Sequence, residues 1–131
     1  MPGTERASAR EAKVTVVPPG GGERVALPRG SSSDLVITDG TVASNSSMLG
    51  YSVFTPGTET KQKVHVDAEE LAYIVSGSGS LLVGREAIGY GTGDSLHIPA
   101  GVPHGIRNDG TEDLVMVFFF PTPNYPRTVD G

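Results

Sequence analysis

No apolar run in this chain is longer than seven residues, Leu114 to Phe120, before proline, glycine or a polar turn ends it. A membrane helix needs about 20 such residues, and no long stretch repeats apolar positions at helical spacing. Frequent punctuation by 18 Gly and 10 Pro leaves short strands joined by tight turns as the expected architecture, an all-β domain. At 131 residues the chain suffices for one domain with one core.

Strands are expected at residues 14–17, 24–27, 34–38, 48–54, 62–66, 71–75, 80–83, 95–98, 104–107 and 114–120, with a Gly-rich hairpin region at 84–93. Nine or ten short strands at these intervals suit a sandwich, jelly roll or barrel. In the 48–54 strand, Leu49, Tyr51 and Val53 share one face, and Met48 and Phe54 the other. The 114–120 strand is apolar on both faces, which predicts a place in the middle of the barrel or in a subunit contact. Residues 1–13 are polar and charged and read as a flexible arm, 14–120 as the barrel, and the Pro-rich 121–131 as a tail lying across the surface.

The formal charge of −5, with no basic stripe, argues against nucleic acid as a partner. With no Cys, disulfides and thiolate metal ligation are excluded. The first residues lack the apolar core of a signal peptide, so a cytoplasmic, membrane-free protein is the expectation.

Two segments carry chemistry. Gly93, Pro99, Gly101, His104 and Asn108 stand at the spacing G-x5-P-x-G-x2-H-x3-N. Pro99 and Gly101 reverse the chain at a strand end, so His104 enters the next strand, with Asn108 on the same face four residues on. Upstream, Gly57, Lys63, His65, Glu70 and Gly77 keep the spacing of G-x5-H-x-H-x4-E-x6-G, with Lys63 where the first His would stand. From about residue 48 to 120 the chain resembles the cupin superfamily, as a small single-domain member. The resemblance implies a double-stranded β-helix, that is, a jelly-roll barrel, with one divalent metal inside. Carried over residue by residue, it implies His65, Glu70 and His104 as ligands.

Two imidazoles and a carboxylate suit Fe, Mn, Ni, Co or Zn and leave coordination positions open. Lys63, on the same strand face as His65, is a possible fourth ligand if deprotonated. Alternatively it pairs with Glu59 or Glu69, or binds the anionic end of a substrate; the last is favoured. Tyr51, Val53, Ala72, Ile106, Asn108, Met116 and Phe118 are the expected pocket lining. His97 reads as a packing or surface residue, and Glu69 points away from the site.

The expected function is a metal-dependent enzyme acting on a small organic substrate by dioxygenase-type or cyclase/isomerase-type chemistry. The alternative is a non-catalytic binding or sensing protein with a degenerate metal site. A homodimer is expected, in which strands cover a neighbour's sheet edge.

Overall fold

The computed structural model describes residues 12–131, so all of the expected N-terminal arm except its last two residues lies outside the described residues. Eleven strands follow one another: β1 (Glu23–Ala26), β2 (Ser32–Ile37), β3 (Met48–Phe54), β4 (Lys63–His65), β5 (Glu70–Ser76), β6 (Ser78–Val83), β7 (Glu86–Gly91), β8 (Ser95–Ile98), β9 (Gly105–Arg107), β10 (Leu114–Phe120) and β11 (Thr128–Asp130). The only helical element among the described residues is a 3-10 turn at Pro28–Gly30. No helix among them is long and apolar enough to cross a membrane.

Three antiparallel sheets form. The largest runs β1-β2-β3-β10-β5-β8, the second β7-β6-β9, and the smallest pairs β11 with β4. Leu81 and Tyr90 of the three-stranded sheet share one core with Met48, Ile74, Leu114 and Phe120 of the large sheet, so the two pack face to face. This is the jelly-roll arrangement that the resemblance to cupins implies, one of the three architectures left open by the turn-punctuated sequence. β10 lies in the middle of the large sheet, between β3 and β5, which accounts for its apolar character on both faces.

Two expectations are corrected. Residues 14–17 form no strand: Val14 and Val16 are almost wholly exposed, because no neighbouring strand meets their backbone. Residues 121–131 are not merely a surface tail, since Thr128, Val129 and Asp130 pair with His65, Val64 and Lys63. Three residues are too few to show a strand period, and the prolines before them masked the pairing.

The inner face of β3 also differs from expectation. Met48, Gly50, Ser52 and Phe54 point inward, while Leu49 and Tyr51 lie outside and Val53 is only half-buried. The cause sits on β10. The Phe118 ring covers Gly50, where a Cβ would come within 2.0 Å of the ring. Glycine is required there by close approach, and Phe118 fills the space its missing side chain leaves.

Candidate metal centre

The four glycines of the two sequence motifs all adopt positive φ, 83° at Gly57, 90° at Gly77, 89° at Gly93 and 80° at Gly101. These are left-handed turns that cost L side chains energy. They end strands where the chain must double back, and so set the segments that carry the polar side chains. Residues 58–65 then run antiparallel to residues 101–108. Lys63 N–H donates to the His104 carbonyl at 2.8 Å, His104 N–H returns the bond to Lys63 at 3.0 Å, and Gly101 N–H donates to the His65 carbonyl at 2.8 Å. Backbone pairing thereby brings the two motifs side by side. β5 enters from the large sheet with Glu70 at its first position.

His65, Glu70 and His104 meet at one interior point. One nitrogen of each imidazole and a carboxylate oxygen all lie within 4.8 Å of one another. Both histidines are buried, His65 at 5% exposure and His104 at 7%. The Nε2 atoms of His65 and His104 each stand 3.2 Å from Glu70 Oε1.

The other ring nitrogens set the chemistry. His104 Nδ1 lies 2.9 Å from the Val102 carbonyl, an acceptor, so Nδ1 carries the hydrogen. His65 Nδ1 lies 2.8 Å from Thr128 Oγ1, and that hydroxyl donates its own hydrogen to the Pro126 carbonyl. Thr128 is therefore the acceptor, and His65 too is protonated at Nδ1. With both rings neutral, two Nε2 lone pairs face a carboxylate with no hydrogen between them. A proton or a metal cation resolves that repulsion. Separations of 3.2 Å are those expected between neighbouring ligands bound at about 2.1 Å from one ion. The residues present fit a divalent metal.

Without a cation, the electrostatics favour a proton shared within the trio. Burial works to raise the Glu70 carboxyl, but hydrogen bonds and charge from His104 and His65 outweigh it, and the group sits below its ordinary value. Burial likewise works to lower His104, but Glu70 and the Val102 carbonyl prevail and the imidazole is raised.

The triad opens into a cavity of about 490 Å3, lined mainly by apolar side chains, among them Leu27, Phe54, Ile106, Met116, Phe118 and Phe120. Ile106, Met116 and Phe118 are thus at the cavity, and Lys63 stands at its wall. Four other expected lining residues are not among those that line it. Tyr51 and Val53 are carried on the other face of β3. Ala72 faces inward but is packed into the core beside its cross-strand partner Phe118. Asn108 is wholly buried, donating to the carbonyls of Phe54 and Glu112 and accepting from Gly110 N–H, so it ties down the turn after β9.

Lys63 pairs with Asp130 of β11 rather than with Glu59 or Glu69, and the pair is largely exposed. Lys63, by its hydrogen bond and charge, holds the Asp130 carboxyl below its ordinary value. An ammonium engaged in this way is not a metal ligand. Glu69 pairs instead with His97, 3.0 Å away at the surface.

Sequence reasoning missed four residues. Tyr125 packs edge-on against His65, with ring centroids 5.6 Å apart, and against Phe120 at 5.4 Å. Burial, aided by the charge of Glu70, pushes its phenol up to about 12, so it stays a neutral donor near the site. Thr128 orients His65. Ser33 and Ser52, paired across β2 and β3 at 2.7 Å, line the cavity wall. None of these positions carries a spacing signal of its own.

The family described as Cupin domain matches residues 50–120, more than half of the chain. Polyketide synthase CurC of Streptomyces cyaneus is 30% identical over 90 residues, 69% of this chain and 58% of CurC. The solved structure of the polyketide cyclase RemF from Streptomyces resistomycificus superposes with a TM-score of 0.75 at 17% identity, covering 90% of this chain and 85% of RemF. The oxalate decarboxylase OxdC of Bacillus subtilis, in its S161A mutant, gives 0.71 at 20% identity over 82% of this chain and 29% of OxdC. At such identities the structural matches speak for the fold alone. With its family match, its jelly-roll sheets and its convergent imidazoles and carboxylate, the chain belongs to the cupin family.

Proposed function

We propose that this cupin is a metal-dependent enzyme that cyclises or isomerises a small, oxygen-bearing organic substrate inside the barrel. His65, Glu70 and His104 would hold one divalent metal, Fe, Mn, Ni, Co or Zn. The observation that carries the reading is the meeting of three potential metal donors, two Nε2 atoms and a carboxylate oxygen, all within 4.8 Å, with each Nδ1 engaged elsewhere. The bound metal would supply Lewis acidity to a substrate carbonyl or enolate.

The chain's own groups do the rest. Phe54, Ile106, Met116 and Phe118 exclude water and favour a flat apolar body. Tyr125 offers a neutral hydroxyl beside His65. Lys63, at the wall, is positioned to attract an anionic substrate end and exchange it against Asp130. Support for cyclase-type chemistry comes from the similarity to CurC, described as a polyketide synthase, and to RemF, described as a polyketide cyclase.

Elemental analysis of the purified protein should find about one metal per chain. His104→Ala and Glu70→Gln should lose it while keeping the strand-type circular dichroism of the parent. Calorimetric titration showing no uptake of any of the five metals would overturn the reading and leave a small-ligand-binding cupin. Turnover accompanied by stoichiometric oxygen uptake would move the chemistry to a dioxygenase.

The protein also acts, in this reading, as a homodimer. The outer face of the large sheet exposes Leu49, Tyr51, Leu71, Tyr73 and Val75, side by side across β3, β10 and β5. A face of this kind in a soluble protein is usually covered by a partner. A second copy is the occupant that offers the same apolar surface in return.

A further inference from the structure

We infer that Ser33 and Ser52 form a second polar subsite, at the opposite end of the cavity from the imidazole-carboxylate centre, that selects substrates bearing an oxygen acceptor at their far end. This deepens the proposed function and rests on it for the placement of the near end of the substrate.

The two hydroxyls face each other at 2.7 Å on cross-strand partners of β2 and β3, and both line the cavity. Two serine hydroxyls carry two hydrogens. Their mutual bond uses one, and among the described residues neither oxygen has any further partner. One O–H is therefore left to donate into a wall otherwise built from Phe54, Met116 and Leu27. Either serine can keep the spare hydrogen, Ser52 at 3% exposure or Ser33 half-buried, and both line the cavity. A buried donor in apolar surroundings favours a ligand that supplies the missing acceptor.

The subsite's distance from the centre follows from register. Phe120 packs on the His65 ring at 4.7 Å and pairs with Met48 across the sheet. Ser52 lies four residues further along the same strand and pairs with Met116. Four residues of strand span about 13 Å. Phe120, Phe118 and Met116, alternate residues of β10, line the cavity over that length. Taking Phe120 as the marker of the centre and Met116 as that of the serines, about 2 Å for a metal–oxygen bond and about 3 Å for a hydrogen bond leave on the order of 8 Å between the two ligand oxygens. That is the length of a fused-ring aromatic or an equally long unsaturated chain. The ligand class is thus a flat, mainly apolar molecule with a chelating pair of oxygens at one end and a carbonyl or phenolic oxygen at the other.

Two probe pairs test this by calorimetry. 6,7-Dihydroxy-2-tetralone differs from 5,6,7,8-tetrahydronaphthalene-2,3-diol by a single far carbonyl, and both carry the chelating diol. 2-Tetralone and tetralin make the same comparison without the diol. The parent should bind each ketone about fivefold to tenfold more tightly than its deoxy counterpart, the effect of one hydrogen bond. The Ser33→Ala/Ser52→Ala protein should lose that ratio while binding the deoxy compounds as before. Ser33→Ala alone, made on the less buried strand, should reduce the ratio without a large change in melting temperature. An unchanged ketone preference in the double variant, or no preference in the parent, overturns the inference and leaves an ordinary cross-strand hydrogen bond. Repeating the set after chelator treatment separates the two readings. Diol affinity lost on chelation reports the metal, whereas the ratio between 2-tetralone and tetralin reports the serines whether or not a metal binds.

Discussion

At the level of single residues, the centre is governed by where hydrogens sit. Thr128 accepts from His65 Nδ1 and passes its own hydrogen to Pro126, so one threonine determines which ring nitrogen of His65 faces inward. Thr128→Val keeps the shape and removes the acceptor. It should weaken metal affinity by about 10- to 100-fold in competition with a chromogenic chelator, with Thr128→Ser recovering most of it. Protonation gives a second test. The raised His104 contributes stability that is full at pH below the ordinary imidazole value and is lost as pH climbs through its folded value. The lowered Glu70 contributes stability present above the ordinary carboxylate value and lost as pH falls through its folded value. Metal-free protein should therefore melt highest in the mildly acidic range between the two ordinary values. Metal-loaded protein should instead gain as pH rises towards neutrality, because the cation competes with the His104 proton. Thermal melts across pH, with and without chelator, distinguish these curves.

Among the elements, β3 and β11 show what the sequence could and could not reveal. The ends of β3, β8 and β10 were legible, since turn residues bracket each apolar run. Which face of β3 points inward was not. Both faces of the large sheet carry apolar residues, so alternation had no preferred sign, and Tyr51 and Val53 were the expected lining. Phe118 over Gly50 decides the matter, and only packing reveals it. Gly50→Ala should cost about 1–3 kcal/mol in denaturant unfolding. Gly89→Ala, where the nearest atom to an added Cβ is 4.0 Å away, should be nearly neutral. The β11 pairing was invisible because its register is set by long-range contact with β4. Removing residues 121–131 deletes Thr128, Tyr125 and the Asp130 partner of Lys63 together. The truncated protein should bind metal more weakly than Thr128→Val and expose Phe120, seen as increased binding of a hydrophobic dye.

For the molecule as a whole, the grouping of the two histidines and the glutamate was legible through the resemblance of the two motifs to the cupin pattern, and the left-handed glycines of those motifs account for it in the backbone. The far wall of the cavity was not, because it is assembled from β2, β3 and β10, which come together only in the folded sheet. The same large sheet carries the apolar outer face, where Tyr51, Val117 and Tyr73 form one cross-strand row and Leu49, Phe119 and Leu71 the next. Light scattering should give a mass of twice 13.6 kDa for the parent. Tyr73→Arg, placing charge at the centre of the face, should return a monomer with an unaltered metal content; a monomeric parent would remove the dimer from the account.

The two imidazoles are not equally open to inherited change. His104 leans on the main-chain oxygen of Val102, which every amino acid at that position would supply, whereas His65 leans on a side chain that a single codon can replace. Divergence among descendants of this protein has a handle on one ring and none on the other. Shifts in ion preference would accordingly be written at position 128 before they touched the ligands themselves.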